Sequence, residues 1–336
     1  MADSDIRLPD PGKLLVSASP HFHSGESVPQ IMVTVILAIM PACAAGVWFF
    51  GLPALRVLVV SAVSCLVFEG LFLRLRGRSM AALHDGSALL TGILLGMNLS
   101  AATPWWVCVV GALLAMGVGK HIYGGLGHNP FNPALIGRVG LLIAFPKFLT
   151  TWVPTRFADT DALTTATPLG QLQGTGVAGT DYLNYFVGNI GGCIGETSAL
   201  ALLLGGLLLL YLRLIRWQVP VGFIGTVFVV TWIVSVTTDA QITPLFHILT
   251  GGLFLGALFM ATDMVTSPMT PLGSLLFGIG CGLITCVIRL WGSYPEGVSF
   301  AILLMNALTP LLDRWTRKSP FGLSRDRGAA GRGNRP

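Results

Sequence analysis

Charge is what this sequence has least of. Only 10% of its 336 residues are Asp, Glu, Lys or Arg, where a soluble domain carries about a quarter. That shortage excludes an ordinary soluble domain of this length. Catalytic signatures are missing too: there is no GxSxG, HExxH, P-loop or dinucleotide-binding glycine fingerprint, so no hydrolytic or nucleotide site is read from motifs. The six cysteines (Cys43, Cys65, Cys108, Cys193, Cys281 and Cys286) form no CxxC pair. The Cys281–Cys286 spacing is foreign to zinc and iron–sulfur motifs, so these residues are read as core. His21 and His23 make an HxH without a third ligand, and no metal site is assigned. The first 30 residues are polar and contain no apolar h-region, so no cleavable signal peptide is expected.

What the chain has in quantity is apolar sequence. Hydrophobic residues make up 53%, the mean hydropathy is +0.75, and the apolar residues come in long blocks. Candidate spans are 31–50, 54–73, 86–101, 104–119, 133–148, 197–215, 219–237, 245–262, 272–290 and 298–313. Most approach the roughly 20 residues that cross about 30 Å of hydrocarbon. Spans 86–101, 104–119 and 133–148 are shorter, and a broken or tilted helix is expected among them. The fold class is therefore an all-α polytopic membrane protein of about ten transmembrane helices.

Net charge is +5, yet the cations do not form a nucleic-acid surface, because they cluster at span ends. Arg74, Arg76 and Arg78 follow the second span, Lys120 the fourth, Arg213 and Arg216 the sixth, and Arg314, Arg317 and Lys318 the tenth. With both termini cytoplasmic, each cluster obeys the positive-inside rule. Arg56, Lys147, Arg156 and Arg289 are single exceptions. The division that follows is a cytoplasmic tail (1–30), a first membrane half (31–148), an extracytoplasmic segment (149–196), a second membrane half (197–313) and a basic cytoplasmic tail (314–336).

The two halves are weakly similar, five helices each. "LLTGILLGMNLSAATP" (89–104) resembles "ILTGGLFLGALFMATDMVTSP" (248–268), and "FNPALIGR" (131–138) has a counterpart in "MNALTPLLDR" (305–314). An odd number of spans per half inverts the second, and inverted repeats frame sites near the midplane, built from broken helices. Asn129-Pro130 and Asn132-Pro133 place prolines where a helix starts, leaving backbone N–H groups free for a polar ligand. Asn132-Pro133-Ala134 also resembles the aquaporin box, but that family needs two, and the second half offers Asn306-Ala307-Leu308.

Intramembrane acids mark ion or proton paths, because a buried carboxylate is costly. Glu69 lies within "CLVFEGLFL", where the bland alternative is snorkelling to the interface. Asp85 opens the third span and Asp263 precedes a turn, so capping and functional roles are both open for them. Glu196-Thr197-Ser198 is read as the cap of the sixth helix. The segment 149–196 is too long for an ordinary connection and contains the polar island "DALTTATPLG" (161–170). On residues alone, that island is a solvated loop.

Taken together, "SPHFHSGESVPQIM", "DGSALLTGILLGMNLS", "GGLGHNPFNPALIGR", "DALTTATPL", "MATDMVTSP" and "YPEGVSFAILLMNALTPLLDR" resemble, in order from about Ser19 to Arg314, the D subunit of the Rnf electron-transport complex. That family is homologous to the B subunit of the sodium-translocating NADH:quinone reductase. The resemblance implies FMN joined through its phosphate to a threonine in an Asp-x-x-Ser/Thr-Gly/Ser-Ala-Thr motif. Here the motif runs from Asp161 through Thr164 to Thr167, making Thr167 the acceptor, with Thr165 where glycine or serine is commoner. It further implies a flavin transferase for maturation, the other Rnf subunits as partners within the lipid of a bacterial inner membrane, and a second, non-covalent riboflavin. Asn132 and Asn306 are the amides placed near that second flavin, and Glu69, Asp85 and Asp263 are the candidates for a path for Na+ or H+. The implied activity is ferredoxin:NAD electron transfer coupled to ion translocation. The competing reading is a transporter or channel on the same bundle with no redox role.

Overall fold

The computed structural model describes residues 27–157, 166–175, 181–238, 243–292, 294 and 296–317. His21, His23, Asp161, Thr164 and Thr165 lie outside the described residues. Helix α1 (Val28–Phe50) starts at a cap in which the Ser27 N–H donates to Gln30 Oε1 at 3.0 Å. It turns at Gly51 into α2 (Leu52–Leu75). A 3₁₀ turn, Met80–Asp85, leads into α3 (Ser87–Met97). Helix α4 (Trp105–Leu113) widens into a π-helix over Leu114–His121, and α5 (Pro133–Ala144) and the short α6 (Pro146–Leu149) complete the first half.

Between the halves lie α7 (Pro168–Thr175) and α8 (Tyr182–Val187), then a 3₁₀ turn at Ile194–Glu196. The second half holds α9 (Ala199–Tyr211), α10 (Gln218–Thr238), α11 (Pro244–Leu249), α12 (Leu253–Leu255) running into a second π-helix at Gly256–Met260, α13 (Pro271–Trp291) and α14 (Val298–Thr316). Ser198 caps α9 by accepting from Ala201 N–H at 3.2 Å, the role expected of that tripeptide. The described residues form no strand, only an isolated bridge between Ser100 and Cys193. By length and composition, α1, α2, α10 and α13 can each cross a membrane; α3, α4 with its π-helix, α5 and α9 are shorter apolar helices.

The packing follows the repeat. In the first half α2 lies on α3 and α4, and α4 on α5. In the second, α10 lies on α11 and α13, and α13 on α14, while α1 pairs with α9 across the halves. Of the three short spans, 133–148 is broken as expected, at Phe145 between α5 and α6; a second break, not expected, falls in span 245–262. Its cause is local: Gly251 and Gly252 adopt φ of +72° and +65°, a left-handed conformation in which glycine carries no Cβ penalty. The carbonyls released there have a partner. Buried Arg289 donates to the oxygens of His247 (2.6 Å), Thr250 (3.1 Å) and Gly251 (2.8 Å), so this exception to the charge pattern is a helix-end cap inside the bundle.

Loops gather on two opposite faces. On one, Arg156 N–H donates to Phe49 O at 2.9 Å, Ile194 N–H to Leu99 O at 3.0 Å and Arg56 to Thr103 O at 3.3 Å. On the other, Arg78 donates to Gly124 O at 2.6 Å, and Met269 N–H to Asp313 Oδ1 at 2.8 Å. The basic clusters at 74–78, 213–216 and 314–317 all belong to the second face, and Thr167 belongs to the first.

Candidate functional site

Two cavities open from these faces. The first, about 570 Å³, is walled by Thr167, Gly170, Asn98, Arg138, Trp152, Tyr294, Glu296 and Phe300, among others. Thr167 immediately precedes α7, and Pro168 at the first helical position fixes where that helix begins. Its Oγ1 accepts from Gly170 N–H at 3.0 Å, the geometry of an N-cap. The hydroxyl is thus buried at a helix N-terminus, on the wall of a cavity, which a solvated loop would not require. Arg138, from α5, donates to Asn98 Oδ1 at 2.6 Å and pairs with Glu296. Behind them Cys193, Glu196 and Glu296 bring one ligand-capable atom each to within 4.8 Å of one another. Burial raises the Glu196 carboxyl above the ordinary carboxylate range, against the pull of Arg138.

The fit to a flavin is favourable on three counts. The volume lies within the range of small-molecule pockets, about 300–1,000 Å³. Trp152, Tyr294 and Phe300 offer ring faces, and Arg138 together with the α7 N-terminus offers positive charge for a phosphate.

The second cavity, about 80 Å³, opens from the opposite face between the halves; Lys120, Ser87, Asn129, Asn132, Thr262 and Asp263 are on its wall. At its edge is a closed ionic cluster. Lys120 Nζ donates to both Glu69 oxygens at 2.9 Å and to Ser87 Oγ at 2.8 Å, and His121 Nε2 meets Glu69 Oε2 at 2.9 Å. Asp85 Oδ1 accepts from the Ser87 N–H at 2.8 Å and from its hydroxyl. Glu69 and Lys120 are each only 2% exposed. Lys120, counted from sequence as an interfacial charge, is therefore an interior cation, and Glu69 does not snorkel. Asp263 stands across the cavity, where its carboxylate accepts from Val265 N–H (3.4 Å) and Thr266 Oγ1 (3.2 Å).

Asp263 thus lines the cavity, while Glu69 and Asp85 stand behind its wall, bound to the lining residues Lys120 and Ser87. Both π-helices border the cavity as well: Lys120 and His121 end the first, and Phe259, in the second, lines it. Such wide turns are frequent at functional sites.

The two amides fare differently. Asn132 caps α5, accepting from Ala134 N–H at 3.0 Å, and its Nδ2 donates to Met260 O at 3.3 Å. Asn306 is buried within α14, and neither atom of its amide has a partner among the described residues. It does not line the cavity that Asn132 lines. Met260 connects the two sites: its sulfur accepts from Asn98 Nδ2 at 3.5 Å, so a wall residue of each cavity touches it.

Sequence reasoning missed Arg138, Glu296 and Lys120. The last had a signal, since Glu69 in an apolar run demands a cation nearby. The Arg138–Glu296 pair spans 158 positions and has none.

Comparison with known proteins matches this architecture. A protein 46% identical over 320 residues, covering 92% of this chain and 96% of its own length, is the D subunit of the proton-translocating ferredoxin:NAD(+) oxidoreductase complex of Clostridium ljungdahlii. The D subunit of the ion-translocating oxidoreductase complex of Stutzerimonas stutzeri is 44% identical, over 88% of this chain and 93% of its own. The D subunit of the Na(+)-translocating ferredoxin:NAD(+) oxidoreductase complex of Acetobacterium woodii is 42% identical, over 93% and 96%. The model of the NQR2, RnfD, RnfE family matches residues 15–322, and the chain belongs to that family.

Proposed function

We propose that this chain is the D-type membrane subunit of an ion-translocating ferredoxin:NAD oxidoreductase complex, with FMN esterified to Thr167. The observation that carries the redox part is the placement of Thr167: a buried hydroxyl at a helix N-terminus on the wall of an aromatic-lined, arginine-bearing cavity of about 570 Å³. When bound, FMN supplies one- and two-electron redox chemistry that no side chain here can perform. The protein's part is to hold it. The Thr167 oxygen provides the covalent anchor, the α7 N–H groups and Arg138 face the phosphate's charge, and Trp152, Tyr294 and Phe300 exclude water and orient a planar ring. A flavin transferase makes the ester, recognising Asp161 and Thr164 ahead of Thr167. A non-covalent riboflavin belongs to the same reading, with the orphaned amide of Asn306 as its hydrogen-bonding group.

In this reading Glu69, Asp85 and Asp263 form the ion path, supported by a cavity of about 80 Å³ that Asp263 lines and that Glu69 and Asp85 reach through Lys120 and Ser87, room for a cation and a few waters but not for an organic substrate. The protein sits in a bacterial inner membrane with its termini cytoplasmic and Thr167 outside. The arginine clusters, all on the face opposite Thr167, support that orientation. The relatives' names divide between protons and sodium, so sodium dependence of transport in reconstituted vesicles decides the coupling ion.

In-gel fluorescence after denaturation tests the anchor. Protein made with the transferase carries a flavin band, and Thr167→Val abolishes it. Absence of the band in the unaltered protein overturns the redox reading in favour of a plain transporter.

A further inference from the structure

A third concavity lies away from both sites, on the outer surface of the α1–α2 hairpin. It is a groove of about 620 Å³, with Ala44 and Trp48 from α1, Leu55, Val59 and Ala62 from α2, and Arg156 at its end. Its lining is apolar except at that end. The guanidinium lies directly over Gly51: a Cβ there would sit 1.7 Å from an Arg156 nitrogen, and Gly51 has φ of +75°. Any side chain at position 51 would push the cation off the mouth of the groove. Arg156 is exposed, and no acceptor for its guanidinium lies within hydrogen-bonding reach among the described residues.

Depth identifies the occupant. Gly51 joins two helices long and apolar enough to span, so the arginine stands at headgroup level. The exposed rings of Trp48 and Phe157, 6.3 Å apart, flank it as interfacial aromatics do. From Gly51 to Ala62 the groove runs about 16 Å along α2, roughly half of a ~30 Å hydrocarbon core. An apolar slot one leaflet deep, ending in a cation whose guanidinium has no partner among the described residues, has the order of parts of one phospholipid: tail inside, phosphodiester at the mouth. A neighbouring protein helix would need to bring a carboxylate to that same depth to satisfy Arg156.

We propose that the α1–α2 groove is a specific site for one anionic phospholipid, its acyl chain against Ala44 and Ala62 and its phosphate on Arg156. The test uses the protein purified in its native assembly, washed with detergent, and titrated with phosphatidylglycerol or phosphatidylcholine under native mass spectrometry. The unaltered protein is expected to retain one phosphatidylglycerol in preference to phosphatidylcholine. Arg156→Gln is expected to weaken that retention about five-fold, the value of one cation at an anionic lipid surface. Ala44→Trp, which fills the slot from its exposed side, is expected to remove the bound lipid while leaving Arg156 in place. Three results overturn the proposal: equal retention of the two lipids, retention unchanged in both variants, or a disulfide from Trp48→Cys to another subunit of the assembly. Arg156 and Ala44 are both exposed, so neither variant removes a core contact.

Discussion

The two cavities differ in what they can hold. The Thr167 pocket is several times larger, about 570 Å³ against about 80 Å³, and presents three aromatic side chains. The Lys120 cavity is small and lined by one carboxylate, a lysine and two amides. One has room for a planar organic group and the other only for an ion or a few waters, and they open to opposite faces. The lesson is that a chain with 10% charge does not spread its charged groups evenly. It gathers interior ones around these cavities, where Glu69 and Arg138 find partners distant in sequence while Asp85 and Asp263 are held by near neighbours.

Several substitutions break or sharpen that contrast. The largest effect is expected from Thr167→Val, with complete loss of the covalent flavin band and only the stability loss of a removed helix cap, about 1 kcal/mol. Lys120→Met comes next. It leaves Glu69 buried without its cation, a loss of about 3–5 kcal/mol, read as a marked fall in the melting temperature of the purified protein. Pairing it with Glu69→Gln should recover much of that stability without restoring ion transport. Arg289→Met strips three helix-end carbonyls of their donor, costing about 1–3 kcal/mol; hydrogen exchange should show the extra opening at 247–251. Asp263→Asn should lower ion flux in vesicles while the flavin band stays at full intensity. The smallest effect is Met260→Leu, below about 1.5 kcal/mol by thermal denaturation, because volume is kept and only the sulfur contact to Asn98 is lost.

Helices were legible from apolar runs because a spanning segment cannot leave backbone groups unpaired in lipid. The acids were legible for a related reason: Glu69 in "CLVFEGLFL" is conspicuous wherever charge is expensive. The break in span 133–148 was legible from its shortness and from Pro146, whereas the one at 250–252 was available in the Gly251-Gly252 pair but was overlooked because length was weighed above glycine. The π-helices left no trace, because 114–121 and 256–260 carry the same small and apolar residues that an ordinary helix accepts. Arg289 looked like a stray interfacial charge because its job depends on a chain reversal forty residues earlier, which only folding brings beside it. The cavity around Thr167 is a product of tertiary assembly, with walls from the C-cap of α3, α5, residues 149–152 and 166–170, and the start of α14.

Met260 also has an electrical meaning. Its side chain meets Asn98 on the wall of one cavity, and its carbonyl meets Asn132 on the wall of the other, so the partition between them is one apolar residue thick at this point. A partition of low permittivity screens poorly. A unit of negative charge arriving on the Thr167 side therefore lowers the energy of a cation on the Lys120 side through the field alone. On the proposed reading of the two cavities, electron and ion are linked across this wall while neither passes through it, much as charges on two plates are linked across a thin insulator.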